Sequence, residues 1–124
     1  MIQIILDAWN STNAELTGKN VSQEEIEYLC TSKTLTSLDL DSNEVGDDGA
    51  IYLSQNTTLT SLDLCYNQVG DTGKQRLDNM NTDRKLLNKQ LLKMLLILPD
   101  IIPDIITHIL HPLLAFPEIE VVLN

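Results

Sequence analysis

Residues 34–56 read TLTSLDLDSNEVGDDGAIYLSQN, and residues 58–80 repeat most of that pattern as TLTSLDLCYNQVGDTGKQRLDNM. Identical residues recur at a constant spacing of 24: Leu35, Leu38, Leu40, Asn43, Val45, Gly46, Asp47, Gly49 and Leu53 return as Leu59, Leu62, Leu64, Asn67, Val69, Gly70, Asp71, Gly73 and Leu77. A fixed period of this length is typical of proteins built by stacking one small structural unit. The chain is therefore predicted to be a short stack of such units.

Each unit reads as a strand, a turn and a helix. Leu35, Leu38 and Leu40 follow the spacing of a short extended stretch and are predicted to face a shared interior. Asn43 comes next, where its amide can bond backbone groups that a turn leaves unpaired. Asn67 would stack on Asn43 and form a ladder of amide side chains along the repeats.

A short helix is predicted to follow the turn. Gly46 permits tight backbone geometry there, and Asp47 and Asp48 stand where a helix begins and where negative charge is favourable. Ala50 and Leu53 would then point inward. For these aspartates helix capping is the favoured interpretation, because the spaced pattern of a calcium loop is missing.

The LxxLxLxxNxV pattern resembles the leucine-rich repeat family, in particular its ribonuclease-inhibitor-like subtype. That resemblance implies an α/β fold: a short leucine-rich-repeat solenoid with parallel strands on its concave face, helices on its convex face and an α-helical C-terminal cap. Residues 1–81 would hold the repeats, namely a degenerate N-terminal unit at 10–33 and repeats at 34–57 and 58–81. In the degenerate unit Ala14 and Leu16 fill the strand positions, and Lys19 replaces the asparagine.

Residues 82–124 are predicted to form the cap. Thr82 is expected to cap a helix whose apolar face extends from Leu86 to Leu98, and Pro99 is expected to end it. A second helix is expected to start near Asp100 or Asp104, with Pro112 as a kink or an end. For the tail EIEVVLN, extended and disordered conformations both remain open.

The apolar segment 91–116 has a competing interpretation as a membrane span, since about 20 predominantly apolar residues suffice to cross a bilayer. Lys93, Asp100, Asp104 and three prolines interrupt it, so a soluble helical hairpin over the open end of the repeats is the favoured prediction. The surplus apolar surface leaves membrane contact and self-association through residues 86–116 as alternatives.

Charge and cysteine content restrict the partners and the compartment. The net charge is −10, and residues 1–80 carry −9 of it through 13 acidic and four basic residues. Such a surface disfavours nucleic acid and favours a protein partner with a basic or mixed-charge surface.

Cys30 and Cys65 show no short metal-type spacing and are expected to be free thiols in the cytoplasm. Residues 1–10 contain a short apolar stretch without a basic leader, so no signal peptide is expected.

Chemistry-bearing motifs are sparse. The sequence contains no P-loop, GxGxxG, GxSxG or HExxH motif, so no catalytic residue, cofactor or metal is predicted. His108 and His111 are three residues apart but have no evident co-ligands. The prediction is that the protein is not an enzyme.

The candidate binding residues lie on the outward side of the strands and just after them. They are Ser37, Asp39, Asp41, Ser61, Asp63, Cys65 and Tyr66. Strands are about 4.8 Å apart, so Asp39 and Asp63 are expected to be neighbouring like charges that attract a partner's Lys or Arg. The alternative is that these acids only keep the surface soluble.

The predicted function is a non-enzymatic protein–protein interaction module that binds its partner through the acidic concave strand face. The alternative is a regulator of a partner GTPase, because the resembled subtype includes the Ran GTPase-activating protein. An activator can insert an Arg into its partner's site, and Arg76 and Arg84 are the only arginines here. The repeats also look similar to those of intracellular bacteria that deliver repeat proteins into host cells, which implies a possible effector role.

Overall fold

The computed structural model describes residues 2–96 and 115–123. In chain order the elements are α1 (Ile2–Trp9), β1 (Asn13–Glu15), α2 (Gln23–Leu29), β2 (Ser37–Asp39), α3 (Gly46–Ser54), β3 (Ser61–Asp63), α4 (Asp71–Asp78), α5 (Met80–Leu96) and β4 (Glu120–Val122). The strands pair in parallel in one sheet of order β1-β2-β3-β4. Helices and parallel strands alternate through the first four helices, which is an α/β repeat fold.

The 24-residue period of the sequence is also the register of the sheet. Ala14 pairs with Leu38, and Leu38 pairs with Leu62. Because equivalent residues lie side by side, every buried position of one unit stacks on the same position of the next. Ala14 lies in β1, which joins the sheet, and Leu16 follows it with its N–H donating to the carbonyl of Asp39 at 2.8 Å; both side chains are buried.

A continuous apolar core runs between the sheet and the helices. Its members come from corresponding positions in successive units, and they include Leu16, Leu40, Leu64, Leu29, Leu53 and Leu77. Each is at most 3% exposed. Burying a leucine side chain contributes roughly 1.5–3 kcal/mol, so the repeated leucines are the main source of stability.

The predicted asparagine ladder is present. The Asn67 side chain accepts hydrogen bonds from the backbone N–H of Asn43 (3.1 Å) and of Val45 (3.3 Å), and it donates to the carbonyls of Leu40 (2.8 Å) and Cys65 (2.9 Å). Asn43 makes the equivalent bond to the preceding unit by accepting from the N–H of Val21 at 3.0 Å. Each asparagine therefore satisfies buried backbone groups of two units at once.

Asp47 has a role beyond its own helix. It lies in the first turn of α3, as predicted, and its carboxylate also accepts the backbone N–H of Gly70 (2.7 Å) and of Gly73 (3.2 Å) at the start of α4. A Cβ at Gly73 would stand 2.6 Å from Cγ1 of Val69 and 2.7 Å from Oδ1 of Asp47. Only glycine fits there, because the carboxylate must come this close to cap the next helix.

Helix α5 begins at Met80, so the prediction that Thr82 caps it is wrong. Thr82 lies inside the first turn, and the backbone N–H of Asp83 donates to the carbonyl of Asn79 at 2.9 Å. The physical reason is Met80, which is 1% exposed and anchors the first turn of the helix in the core. The expected stop at Pro99, the second helix, the Pro112 kink and both histidines lie outside the described residues.

The tail is extended. Glu120–Val122 forms β4 beside β3, where the N–H of Glu120 donates to the carbonyl of Thr60 and the N–H of Leu64 donates to that of Val122, both at 2.9 Å. Three side chains of α5 hold the residues that lead into this strand. Asn81 makes a two-way bond with the backbone of Ile119, Asn88 does the same with Phe116, and Arg84 donates to Pro117.

Candidate binding face

The exposed side of the sheet carries two rows of side chains that cross the strands. The first row is Glu15, Asp39, Asp63 and Val122, and the second is Asn13, Ser37, Ser61 and Glu120. These eight residues are called the strand face below. Neighbouring strands lie about 4.8 Å apart, so the first row places three carboxylates on consecutive strands.

The two central aspartates are fixed by the turns that follow their strands. Oδ1 of Asp39 accepts the backbone N–H of Asp41 at 2.9 Å, and Oδ1 of Asp63 accepts that of Cys65 at 3.0 Å. An aspartate that bonds the backbone two residues later stabilises a turn. Both carboxylates are therefore held in one orientation, which gives them a structural role as well as a charge.

The turns after β2 and β3 form one rim of this face. The hydroxyl of Ser42 donates to Asp41 Oδ1 at 2.7 Å. Tyr66 is 68% exposed and has a φ of +55°, the left-handed region that Gly18 and Ser42 occupy at the equivalent positions of the other units. A bulky residue in this region costs on the order of 1–3 kcal/mol. The fold thus presents an exposed aromatic ring beside the acidic rows.

Neither cysteine is activated as a nucleophile. A hydrogen bond with the Asp63 carboxylate, with smaller effects from desolvation and from the charges of nearby aspartates, raises the pKa of the Cys65 thiol. Burial, with a smaller effect of Glu27, raises the pKa of Cys30 to about 12. Since the thiolate is the reactive form, both residues are thiols of low reactivity at neutral pH, and both are unpaired.

The structure brings the seven sequence-predicted residues together. Ser37, Asp39, Ser61 and Asp63 lie on β2 and β3, and the remaining three follow directly in the turns. Sequence reasoning missed Glu15 and Glu120, which extend the two rows. Glu15 precedes Asp39 by 24 residues, so the repeat period could have identified it. Glu120 reaches the sheet only through β4 and has no such signal.

Arg84 cannot serve as an arginine that is inserted into a partner. Its guanidinium is buried, with Nη1 donating to the carbonyls of Leu59 and Pro117 (both 2.7 Å) and Nη2 to that of Asn56 at 2.9 Å. Burial lowers its pKa from the ordinary value. Arg76 is exposed on α4 and is therefore the one arginine that remains for the GTPase alternative.

Metal binding and membrane crossing find no support in the described part of the chain. Among residues 2–96 and 115–123, no three His, Cys, Asp or Glu side chains are grouped so that they could hold a metal ion. The carboxylates of the first row are spread along the sheet, whereas a metal needs ligands that converge on one point. Of the helices in those same ranges, none combines the length and the apolar character needed to cross a bilayer.

Comparison with known proteins identifies the repeated units. The family model described as Leucine Rich repeat matches residues 31–54 and 55–75. These two segments are therefore similar to leucine-rich repeats, a class of repeat that generally mediates protein–protein interaction and is typically non-enzymatic. Neither the curated proteins nor the solved structures include a significant match.

Proposed function

We propose that this protein is a non-enzymatic interaction module, a short leucine-rich-repeat solenoid of the ribonuclease-inhibitor-like type. It binds a protein partner through its strand face and the adjoining rim of turns after β2 and β3. The repeats occupy residues 1–81, and residues 82–124 act as a C-terminal cap in which α5 and β4 cover the last repeat. The partner-binding residues are Ser37, Asp39, Asp41, Ser61, Asp63, Cys65 and Tyr66, together with Glu15.

The observation that carries the proposal is the row of three carboxylates on consecutive strands. Two like charges about 4.8 Å apart repel each other by about 0.9 kcal/mol in a water-like dielectric, before screening by salt. A Lys or Arg placed over the row relieves this repulsion and gains attraction from more than one acid. The face is thus complementary to a basic or mixed-charge protein surface.

Pre-organisation supports the same function. Asp39 and Asp63 are held by backbone N–H groups, so a partner does not have to order them on binding. Association then costs less side-chain entropy than it would with freely rotating carboxylates. Tyr66 adds a large exposed ring at the rim, and tyrosine is among the residues that contribute most to interfaces.

Two unpaired cysteines favour a reducing compartment, and we place the protein in the cytoplasm, either of the cell that makes it or of a host cell into which it is delivered. In both settings the binding face would work in the same way.

The test removes charge without disturbing the turns. Asparagine at positions 39 and 63 keeps the oxygen that accepts the backbone N–H, because its amide carbonyl replaces the carboxylate. A partner is first isolated with the wild-type chain, and its Kd is then measured for wild type and for the Asp39→Asn, Asp63→Asn double variant. We expect binding to weaken about 10- to 30-fold, corresponding to about 1 kcal/mol for each lost charge contact.

Asp78→Asn is the matched control, since it makes the same chemical change at an exposed position on α4. Its Kd should stay within about twofold of wild type. If the double variant binds as tightly as the control, the strand face is not the binding site.

A further inference from the structure

An apolar groove lies between α1 and α2, away from the strand face. It has a volume of about 390 Å³ and is lined by Ile5, Leu6, Glu24, Glu25 and Tyr28. That size falls within the range of about 300–1,000 Å³ that is usual for ligand-binding cavities. None of its lining residues belongs to a strand, so this groove is separate from the proposed binding face.

The floor of the groove is contiguous apolar surface. Ile5 is anchored in the core, while Leu6 and Tyr28 remain 37% and 40% exposed. Single exposed apolar residues are ordinary, but several that line one concavity mark an interaction site. Helix α1 packs Ile5 and Ala8 into the core, whereas Leu6 of the same helix stays partly exposed and is not needed for that packing.

Neighbouring contacts hold the walls in place. Tyr28 stacks on Trp9 with ring centroids 5.6 Å apart and planes inclined by 22°, and Trp9 Nε1 donates to Thr31 Oγ1 at 2.9 Å. Glu25 forms a capping box with Ser22, whose backbone N–H donates to Glu25 Oε1 at 3.0 Å. The groove is therefore already formed, and an occupant gains affinity because little has to be ordered.

The charge around the groove defines its occupant. Glu24 and Glu25 stand at one side of an otherwise apolar concavity, in the part of the chain that carries −9 of the net charge of −10. We propose that this groove docks a short segment of a protein partner that carries a large apolar side chain next to a Lys or Arg. The apolar side chain fills the space over Leu6 and Tyr28, and the cation lies against Glu24 and Glu25.

The test uses a displayed library of linear peptides as the probe. The library is panned on the full chain, and enriched peptides are synthesised. Their Kd values are measured for wild type, Leu6→Gln, Glu24→Gln, Ile4→Gln and the Asp39→Asn, Asp63→Asn double variant. Ile4→Gln is the matched control, because Ile4 lies on the same helix, is 42% exposed and does not line the groove. Thermal unfolding of each variant checks that it is folded.

We expect enriched peptides to combine a large apolar residue with a neighbouring basic one. Leu6→Gln should weaken their binding about three- to tenfold, since it removes part of the burial of one leucine. Glu24→Gln should weaken it up to about fivefold and reduce its sensitivity to salt. Ile4→Gln should leave the Kd within about twofold.

Four results would overturn the proposal. One is that no peptide is enriched. Another is that the enriched peptides bind Leu6→Gln and Ile4→Gln equally well. A third is concentration-dependent self-association that Leu6→Gln abolishes, which would make a second copy of the chain the occupant. Peptides whose binding is lost in the Asp39→Asn, Asp63→Asn variant but kept in Leu6→Gln would assign the strand face and exclude the groove.

Discussion

Replacing Arg84 by methionine tests how the C-terminal strand is attached to the repeats. Arg84 is 3% exposed and links three backbone carbonyls, two in the loop before β3 and one at Pro117. Methionine has a similar length and an apolar chain, so Arg84→Met removes the charge and the donors while it keeps much of the volume. The loop and the segment leading into β4 would then lose their shared partner.

The expected cost follows from the burial of those carbonyls. The carbonyls of Asn56 and Leu59 accept within buried contacts, and each costs about 1–3 kcal/mol when left unsatisfied. The residue Pro117 is exposed, so its carbonyl can turn to water at small cost. Part of the loss is returned, because a buried guanidinium is expensive to desolvate and its Nε has no hydrogen-bond partner among the described residues. The net loss is about 2–4 kcal/mol, which corresponds to a fall in Tm of roughly 8–15 °C for a chain of this length.

Two measurements locate the effect. Urea unfolding gives the change in the free energy of unfolding. Amide hydrogen exchange then compares Glu120 and Leu64, whose N–H groups bond across β3 and β4, with Leu40, whose N–H bonds across β2 and β3. The first two amides should exchange about 30- to 900-fold faster in the variant, because every opening that separates β4 from β3 breaks the Arg84 contacts and then costs about 2–4 kcal/mol less. Leu40 should accelerate by no more than this factor, since only openings that reach β2 change its exchange.

Arg76→Met is the matched control, as it makes the same change at the exposed arginine and should alter stability by no more than about 0.5 kcal/mol. The reasoning is refuted if Arg84→Met is as stable as wild type, because the desolvation of the guanidinium would then outweigh its hydrogen bonds. Unchanged exchange at Glu120 and Leu64 would also refute it, because the Arg84 side chain would then not hold β4 on the sheet.

Three further predictions concern the Asn67 side chain and the Cys30 thiol. Asn67→Ala removes four hydrogen bonds of a side chain that is 1% exposed, so it should lower the free energy of unfolding by about 3–4 kcal/mol in urea titration. The control is Lys19→Ala, at the equivalent position of the first unit, which should cost under about 0.5 kcal/mol. Equal costs for the two variants would contradict the ladder. Burial raises the pKa of Cys30 to about 12 from an ordinary 9.0, so at pH 8 iodoacetamide should alkylate it at least about tenfold more slowly than a free thiol. The same shift adds stability below pH 9 that is lost as the pH rises, by roughly 1–2 kcal/mol at pH 10, and Cys30→Ala should flatten this pH dependence of unfolding. A steep loss that persists in Cys30→Ala would assign it to other groups.

The residues of the strand face show how far a sequence argument can reach. Alternation along the strands was enough to predict that Asp39 and Asp63 are neighbours, and the sheet register confirms it. The same alternation could not reveal that both carboxylates accept a backbone N–H, since that bond depends on the conformation of the following turn. The two roles that the sequence suggests for these aspartates, binding a partner or keeping the surface soluble, therefore leave out a third, which is to stabilise the turn.

The C-terminal part depended least on local pattern. The sequence predicts the helix α5 but places its start at Thr82 instead of Met80. Met80 is buried by the assembled core, and local sequence pattern does not show that burial. The sequence of the tail leaves its conformation open, and it does not show that Arg84 is buried and held by backbone carbonyls. Contacts between α5 and residues 115–119 decide both questions, and those residues are about 30 positions apart in the chain.

By itself, the sequence determined the repeating unit, its 24-residue register, the buried leucines and the asparagine ladder, because each of these repeats at short range and therefore leaves a periodic trace. Only the tertiary structure decided the fourth strand, the burial of Arg84 and the groove between α1 and α2. These features arise where segments without a shared period meet, and the free energy of such contacts depends on shape and on hydrogen-bond geometry that no single segment encodes.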